Sequence, residues 1–282
     1  MMEIEGANTK AEAEAILTRT AGQADAEIDL AEAALALAAL DRPQVPLARY
    51  RAHLAELAGD VGNEARAREH GVDQAAALAR VLFERYGYEG DRLTYDDLQN
   101  ANLMRVIDRR KGLPVALGIL MIHAARAQGW DMVGLAFPAH FLVRLESGGG
   151  RLILDPFAGG RVLGPAELRE LLKEVAGEGA ELKPSHYEPV GNRAVLLRLQ
   201  NNLKTRLIQE QKLEAAGRVL TRMLLFAPDE PQLWREAGML EARVGNLKRA
   251  IGLIETYRQK SLGEAQRRQA AVLLQELAQR LH

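Results

Sequence analysis

Two side chains in this sequence have the types and spacing of a pair that can handle a proton. Pro138-Ala139-His140-Phe141 and Leu154-Asp155-Pro156-Phe157 each belong to a short apolar run, and Ser147-Gly148-Gly149-Gly150 between them reads as a flexible turn. An antiparallel hairpin, with His140 beginning one strand and Asp155 ending its neighbour, brings imidazole and carboxylate within reach. Such a carboxylate fixes the histidine tautomer and raises its basicity, the arrangement that activates a nucleophile in covalent catalysis. The nucleophile itself is missing. No Ser, Thr or Cys occurs from Tyr95 to Glu146, and the whole chain has no cysteine. Thiol mechanisms, thiolate metal sites and disulfides are thereby excluded. Lys111 and Tyr95 remain as stand-ins, and neither suits acyl transfer without strong pKa tuning.

The elements that must position this pair are legible around it. Gly112-Leu113-Pro114 opens a helix, with Pro114 in the first turn where its missing N–H does no harm. Residues 115–125 are apolar on nearly every face, so that helix reads as buried. Arg109-Arg110-Lys111 sits at the end of a helix expected over 95–109, where the dipole favours cations; an anion or acidic-partner contact is the functional reading of the same run. Strands over Met132–Phe137, Phe141–Leu145 and Leu152–Leu154 follow. A buried helix ahead of a short antiparallel sheet makes the fold class α+β.

Helices flank this block. Residues 27–40 place Ile28, Leu30, Ala31, Ala34, Leu35 and Leu37 on a broad apolar face, and Asp41-Arg42-Pro43 ends the run. A second helix over Leu47–Ala58 is expected to close at Gly59–Gly62, and a third spans 72–86. Beyond Pro165 the pattern is helical to the end. There, residues 197–228 and 231–262 are self-similar at a period of 34: Gln200 falls opposite Trp234, Leu203 opposite Ala237, Ala216 opposite Ala250 and Leu220 opposite Ile254. That period, with Trp234, Gly238, Ala250 and Tyr257 at their offsets, is similar to tetratricopeptide repeats. Lys204 stands where the first unit should have a small residue. Arg206, Gln209, Arg235, Arg243 and Lys248 are candidates to line a groove between repeats.

Composition narrows the function. Lys plus Arg number 37 against 38 Asp plus Glu in 282 residues, so no global footprint for nucleic acid exists. The N-terminal MMEIEGANTK is acidic and polar, and no run of about 18 apolar residues occurs, so the sequence reads as cytoplasmic, without a signal peptide or a membrane span. The glycine runs match no phosphate-binding pattern. His123 lies on the apolar helix without HxxxH or HExxH spacing, so neither a metal nor another cofactor is expected.

Taken together, residues 95–160 resemble the bacterial SirB family, transglutaminase-like proteins with C-terminal tetratricopeptide repeats. The resemblance rests on Asn100, Leu103, Val106, Ile107, Arg109, Arg110, Gly112, Leu113 and Pro114, then Pro138, His140 and Phe141, then Asp155, Pro156 and Phe157. Ala139 replaces a glycine of that pattern and Leu98 a usual proline. The resemblance implies a transglutaminase-like core over 63–180, an N-terminal helical layer over 1–62 and repeats over 190–282. It implies His140 and Asp155 as a remnant catalytic dyad, and Asn100, Arg109, Arg110, Gly112, Pro138 and Phe141 as binding residues. Active transglutaminases carry a cysteine at the start of the buried helix, where the dipole stabilises its thiolate. The resemblance puts Pro114 at that place. It thus implies a non-catalytic protein-interaction or regulatory module, with a protein or peptide partner held by the repeats or by a cleft between Pro114 and His140. The alternative is a hydrolase or amidase in which His140 activates water.

Overall fold

The computed structural model describes the backbone of residues 2–65 and 71–281 and side chains from Thr9 onward. Residues 66–70, near the expected start of the core segment, lie outside the described residues, as do the side chains of most of the acidic N-terminal stretch. The chain forms two compact units, one of residues up to Ile16 with Ala24–Leu199, the other of Leu17–Gln23 with Gln200–His282. The fold is predominantly helical with a small antiparallel sheet.

The chain starts with helix α1 (Met2–Ala21), which the sequence pattern does not announce. Helix α2 (Leu30–Ala39) begins where Asp29 caps it, its Oδ1 accepting from Ala31 N and Glu32 N at 3.0 Å each. Nearly every residue of α2 is buried. Helix α3 (Ala48–Glu64) runs through Gly59 and Gly62 instead of closing there. Packing overrides the weak propensity of glycine: Leu57, Ala58 and Val61 stay buried, and Gly62 leaves room for the Gln128 side chain, whose amide donates to Ala58 O at 2.8 Å. Helix α4 (Gly71–Ala79) continues as a π-helical stretch to Arg85.

The helix expected over 95–109 is divided. After strand β1 (Glu89–Gly90), a 3-10 turn at Leu98–Ala101 precedes α5 (Leu103–Arg109), and extended Asn102 separates them while its side chain caps α5 by accepting Arg105 N at 3.1 Å. Strand β2 (Lys111–Gly112) pairs in parallel with β1, setting Gly90 opposite Gly112. Helix α6 (Pro114–Arg126) follows, and all but His123 and Arg126 of its residues are buried.

Strands β3 (Asp131–Leu135), β4 (Val143–Ser147), β5 (Gly150–Asp155), β6 (Arg161–Leu163) and β7 (Pro189–Val190) make one antiparallel sheet in the order β6-β5-β4-β3-β7. Ser147 pairs with Gly150 at the hairpin, as the glycine run predicts. His140 does not begin β4, which starts three residues later. Pro138, the left-handed Ala139 (φ 51°) and a bond from His140 N to Pro138 O at 2.6 Å form a bend there instead. Nor does the chain stay helical after Pro165: α7 (Pro165–Ala176) gives way to an extended stretch that supplies β7. Leu135, Phe137, Leu142, Leu163, Leu168 and Leu172 form one core cluster.

The second unit is built of antiparallel helices: the later part of α8 (Asn192–Gln209), then α9 (Leu213–Phe226), α10 (Pro231–Arg243), α11 (Leu247–Lys260) and α12 (Glu264–Leu281). The repeat positions carry its packing. Ala216, Leu220, Ala250, Ile254 and Tyr257 are all buried. A Cβ on Gly238 would come within 2.6 Å of Ile254 Cδ1, so only glycine lets α10 and α11 approach this closely.

Candidate functional site

Asp155 is buried, and its Oδ1 lies 3.0 Å from His140 Nε2. The same oxygen accepts Phe157 N at 2.8 Å and Ala158 N at 3.2 Å, capping the 3-10 turn Pro156–Ala158. The expected imidazole–carboxylate pair therefore exists, made between the end of β5 and the bend before β4. A carboxylate accepts, so Nε2 carries the shared proton, and in the neutral ring Nδ1 keeps the lone pair. Nδ1 has no hydrogen-bond partner among the described residues.

The bend holding His140 is fixed from two sides. Next in sequence, the Phe141 ring fills the gap between α6 and β3: a Cβ on Gly118 would come within 2.7 Å of its Cδ1, and one on Gly134 within 2.7 Å of its Cζ. Arg198, on α8, donates Nη2 to His140 O at 2.6 Å and Nη1 to Phe137 O at 3.2 Å, with its guanidinium 5.6 Å from the Phe141 ring centre. Burial lowers the pKa of Arg198 from its usual value. Nothing in the local sequence points to Arg198, because it meets its partners across about sixty residues of chain.

Phe157 connects the pair to the loop after β1. Its ring lies edge-on to His140 at 6.2 Å and to Tyr95 at 5.6 Å, while Arg92 sits over it at 5.1 Å. A Cβ on Gly90 would come within 2.6 Å of Phe157 Cε2. Gly90 is in turn the register partner of Gly112, two residues before Pro114. Pro114 is buried at the first position of α6. Its ring offers no nucleophilic heteroatom and its nitrogen no proton.

The other sequence-indicated residues divide between bracing and packing. Arg109 donates Nη1 to Asn100 Oδ1 and Nη2 to Asp91 Oδ2, each at 3.0 Å, and Asn100 Nδ2 donates to Thr94 O at 2.7 Å. Asp91 completes this brace. Burial opposes its charge, but hydrogen bonds from Thr94, Asn100 and Arg109 outweigh burial and hold its carboxyl down at about 2. Asn100 and Arg109 are thus brought together, with their polar groups turned on the 91–100 loop. Arg110 goes elsewhere: its Nη1 lies 2.5 Å from Tyr88 Oη and 2.8 Å from His53 Nε2. Lys111 pairs with Glu89 at 2.9 Å. Gly112 is buried against Val106, and Pro138 is half-buried in the bend. His123 is half-buried, and no group of three or more potential metal ligands occurs among the described residues.

Residues 48–201 match the family model described as transglutaminase-like superfamily, and residues 203–276 match a tetratricopeptide repeat model. A UPF0162 protein of Vibrio cholerae is 35% identical over 217 residues, 76% of this chain and 79% of that protein. A UPF0162 protein of Xylella fastidiosa is 34% identical over 187 residues, covering 65% of this chain and 66%, just under two thirds, of its own length. Protein SirB1 of Salmonella typhimurium is 28% identical over 173 residues, 61% of this chain and 64% of that protein. No solved structure gives a significant match.

Proposed function

This chain belongs to the transglutaminase-like superfamily, and on that footing we propose that it is a non-catalytic member acting as a protein-interaction or regulatory module. The observation that carries the reading is Pro114. It occupies the first turn of the buried helix, where the active enzymes of this superfamily carry a thiol, while His140 and Asp155 keep their 3.0 Å contact. A dyad without a thiol at the helix start can orient or hold a carbonyl or peptide group, but it lacks the atom with which the active enzymes form their acyl intermediate. The partner in this reading is a protein or peptide, held by the tetratricopeptide helices or by a cleft that the reading requires between Pro114 and His140. We place the protein in the cytoplasm; no described helix is long and apolar enough to cross a membrane. Its organisation in this reading is a helical layer over 1–62, a core over 63–180 and repeats over 190–282.

Steady-state assays of amide and ester panels test the proposal. Turnover by the wild-type chain should equal that of His140→Ala; turnover that disappears in His140→Ala overturns the reading. One observation favours a second reading, hydrolysis by water: Nδ1 of His140 has no partner among the described residues and is thereby available as a general base. The same comparison decides between the two.

A further inference from the structure

A groove in the second unit offers a more specific partner. Lys204 and Ile208 of α8 face Arg235, Met239 and Arg243 of α10 across about 470 Å³, with Leu220 and Leu240 among its apolar lining. Arg235, Met239 and Arg243 are successive fourth residues, so they form a row along one face of α10. Two turns of helix set the two arginines roughly 12 Å apart, and Met239 between them is 39% exposed.

Charge in this groove is unbalanced. Lys204 is answered by Glu236, an ion pair within the groove wall. The arginines are not answered. Arg235 gives Nη1 to the neutral Oε1 of Gln232 at 3.1 Å and keeps Nε buried without a hydrogen-bond partner. Arg243 is exposed and has no ion pair or side-chain hydrogen bond among the described residues. A row that reads cation, apolar, cation wants a ligand that reads carboxylate, apolar, carboxylate.

We propose that this groove binds an acidic peptide segment of a partner protein, in extended conformation, with two carboxylates on Arg235 and Arg243 and an apolar side chain between them on Met239 and Ile208. An extended chain rises about 3.3 Å per residue and alternates its faces, so acidic residues four apart, with the apolar residue midway between them, span the two arginines from one face. The apolar row between the cations favours peptide over nucleic acid, whose phosphates would leave Met239 against a charged backbone. The proposal rests on the reading that the repeats hold a partner, and it names the chemistry of that partner.

The test is fluorescence anisotropy of the full chain with a labelled, end-capped peptide of about seven residues in which two glutamates four positions apart flank a central leucine. Binding should weaken with added salt and fall about tenfold in Arg235→Gln and in Arg243→Gln. Met239→Glu, which leaves both arginines in place, should abolish it, with helix content by circular dichroism unchanged in all three. Equal binding of a peptide with glutamines for glutamates, indifference to all three substitutions, or tighter binding of an oligo-dT strand in the same groove would overturn the proposal. Failure here is separable from failure of the non-catalytic reading. A glutamate peptide that does not bind, with no turnover in the assays above, removes only the groove assignment. His140-dependent turnover with peptide binding still sensitive to Arg243→Gln removes only the non-catalytic reading.

Discussion

One oxygen of Asp155 both holds His140 and closes the turn that follows: Oδ1 accepts the imidazole Nε2 at 3.0 Å and the Phe157 and Ala158 amides at 2.8 and 3.2 Å. The pair is therefore a piece of architecture as well as a possible instrument of chemistry. Asp155→Ala strips a cap and leaves buried donors unanswered, which should cost about 2 kcal/mol in denaturant unfolding. His140→Ala leaves the cap in place and should cost less than half as much. Equal losses would mean that the capping bonds contribute nothing.

The Phe141 ring is held between two glycines, Gly118 of α6 and Gly134 of β3. Gly118→Ala should destabilise the protein by about 2 kcal/mol, because its methyl group meets a fully buried ring that has nowhere to turn. Adding Phe141→Leu should recover part of that loss in a double-mutant cycle. A freely tolerated Gly118→Ala would show that α6 and the bend before β4 do not pack this closely.

Much of this arrangement was legible in the sequence and part was not. Gly112-Leu113-Pro114 marked the start of α6, Ser147–Gly150 marked the hairpin, and the 34-residue period marked the repeats, because each is a local signal with one structural meaning. Helix α1 went unread because its apolar positions are sparse. Strand β7 is two residues long and is defined by pairing with β3, which no local pattern encodes. His140 looked like a strand residue because Phe141 and Leu142 continue an apolar run; the left-handed Ala139 breaks that run through its backbone angle, not its side chain. Asn100 and Arg109 were visible as polar residues in a distinctive motif, but Asp91, which engages Arg109, carries no such mark. Arg198 is beyond any local reading.

Ala139 also supplies a prediction of sign. Its φ of 51° is one that a Cβ opposes and glycine accepts. Ala139→Gly should leave stability equal or higher, by up to about 1 kcal/mol after the entropy of glycine in the unfolded chain is counted, and Ala139→Val should lower it by more than about 1 kcal/mol. A loss on glycine substitution contradicts the left-handed conformation.

His53 makes stability depend on pH in a defined window. Burial first, then the charges of Arg110 and Arg49, depresses its pKa from 6.5 to about 4. The folded state therefore keeps the ring neutral where the unfolded chain has already bound a proton. Its contribution is complete above pH 6.5 and is lost as pH falls towards about 4, by about 2 kcal/mol after solvent screening is allowed for. Asp91 acts lower: its contribution is present above about 3.8 and fades as pH falls towards about 2. Unfolding free energies of wild type and His53→Gln across pH 7 to 4 should diverge, with the variant's slope the flatter; parallel curves would assign the slope to other groups.

The claim on which the functional reading depends is that no atom at the start of α6 can be acylated. Intact-mass spectrometry of the wild-type chain and of His140→Ala, each quenched in acid during reaction with an activated ester, measures this directly. The account predicts identical spectra, with any adduct being background labelling common to both. A stoichiometric acyl adduct present in the wild type and absent from His140→Ala would contradict it.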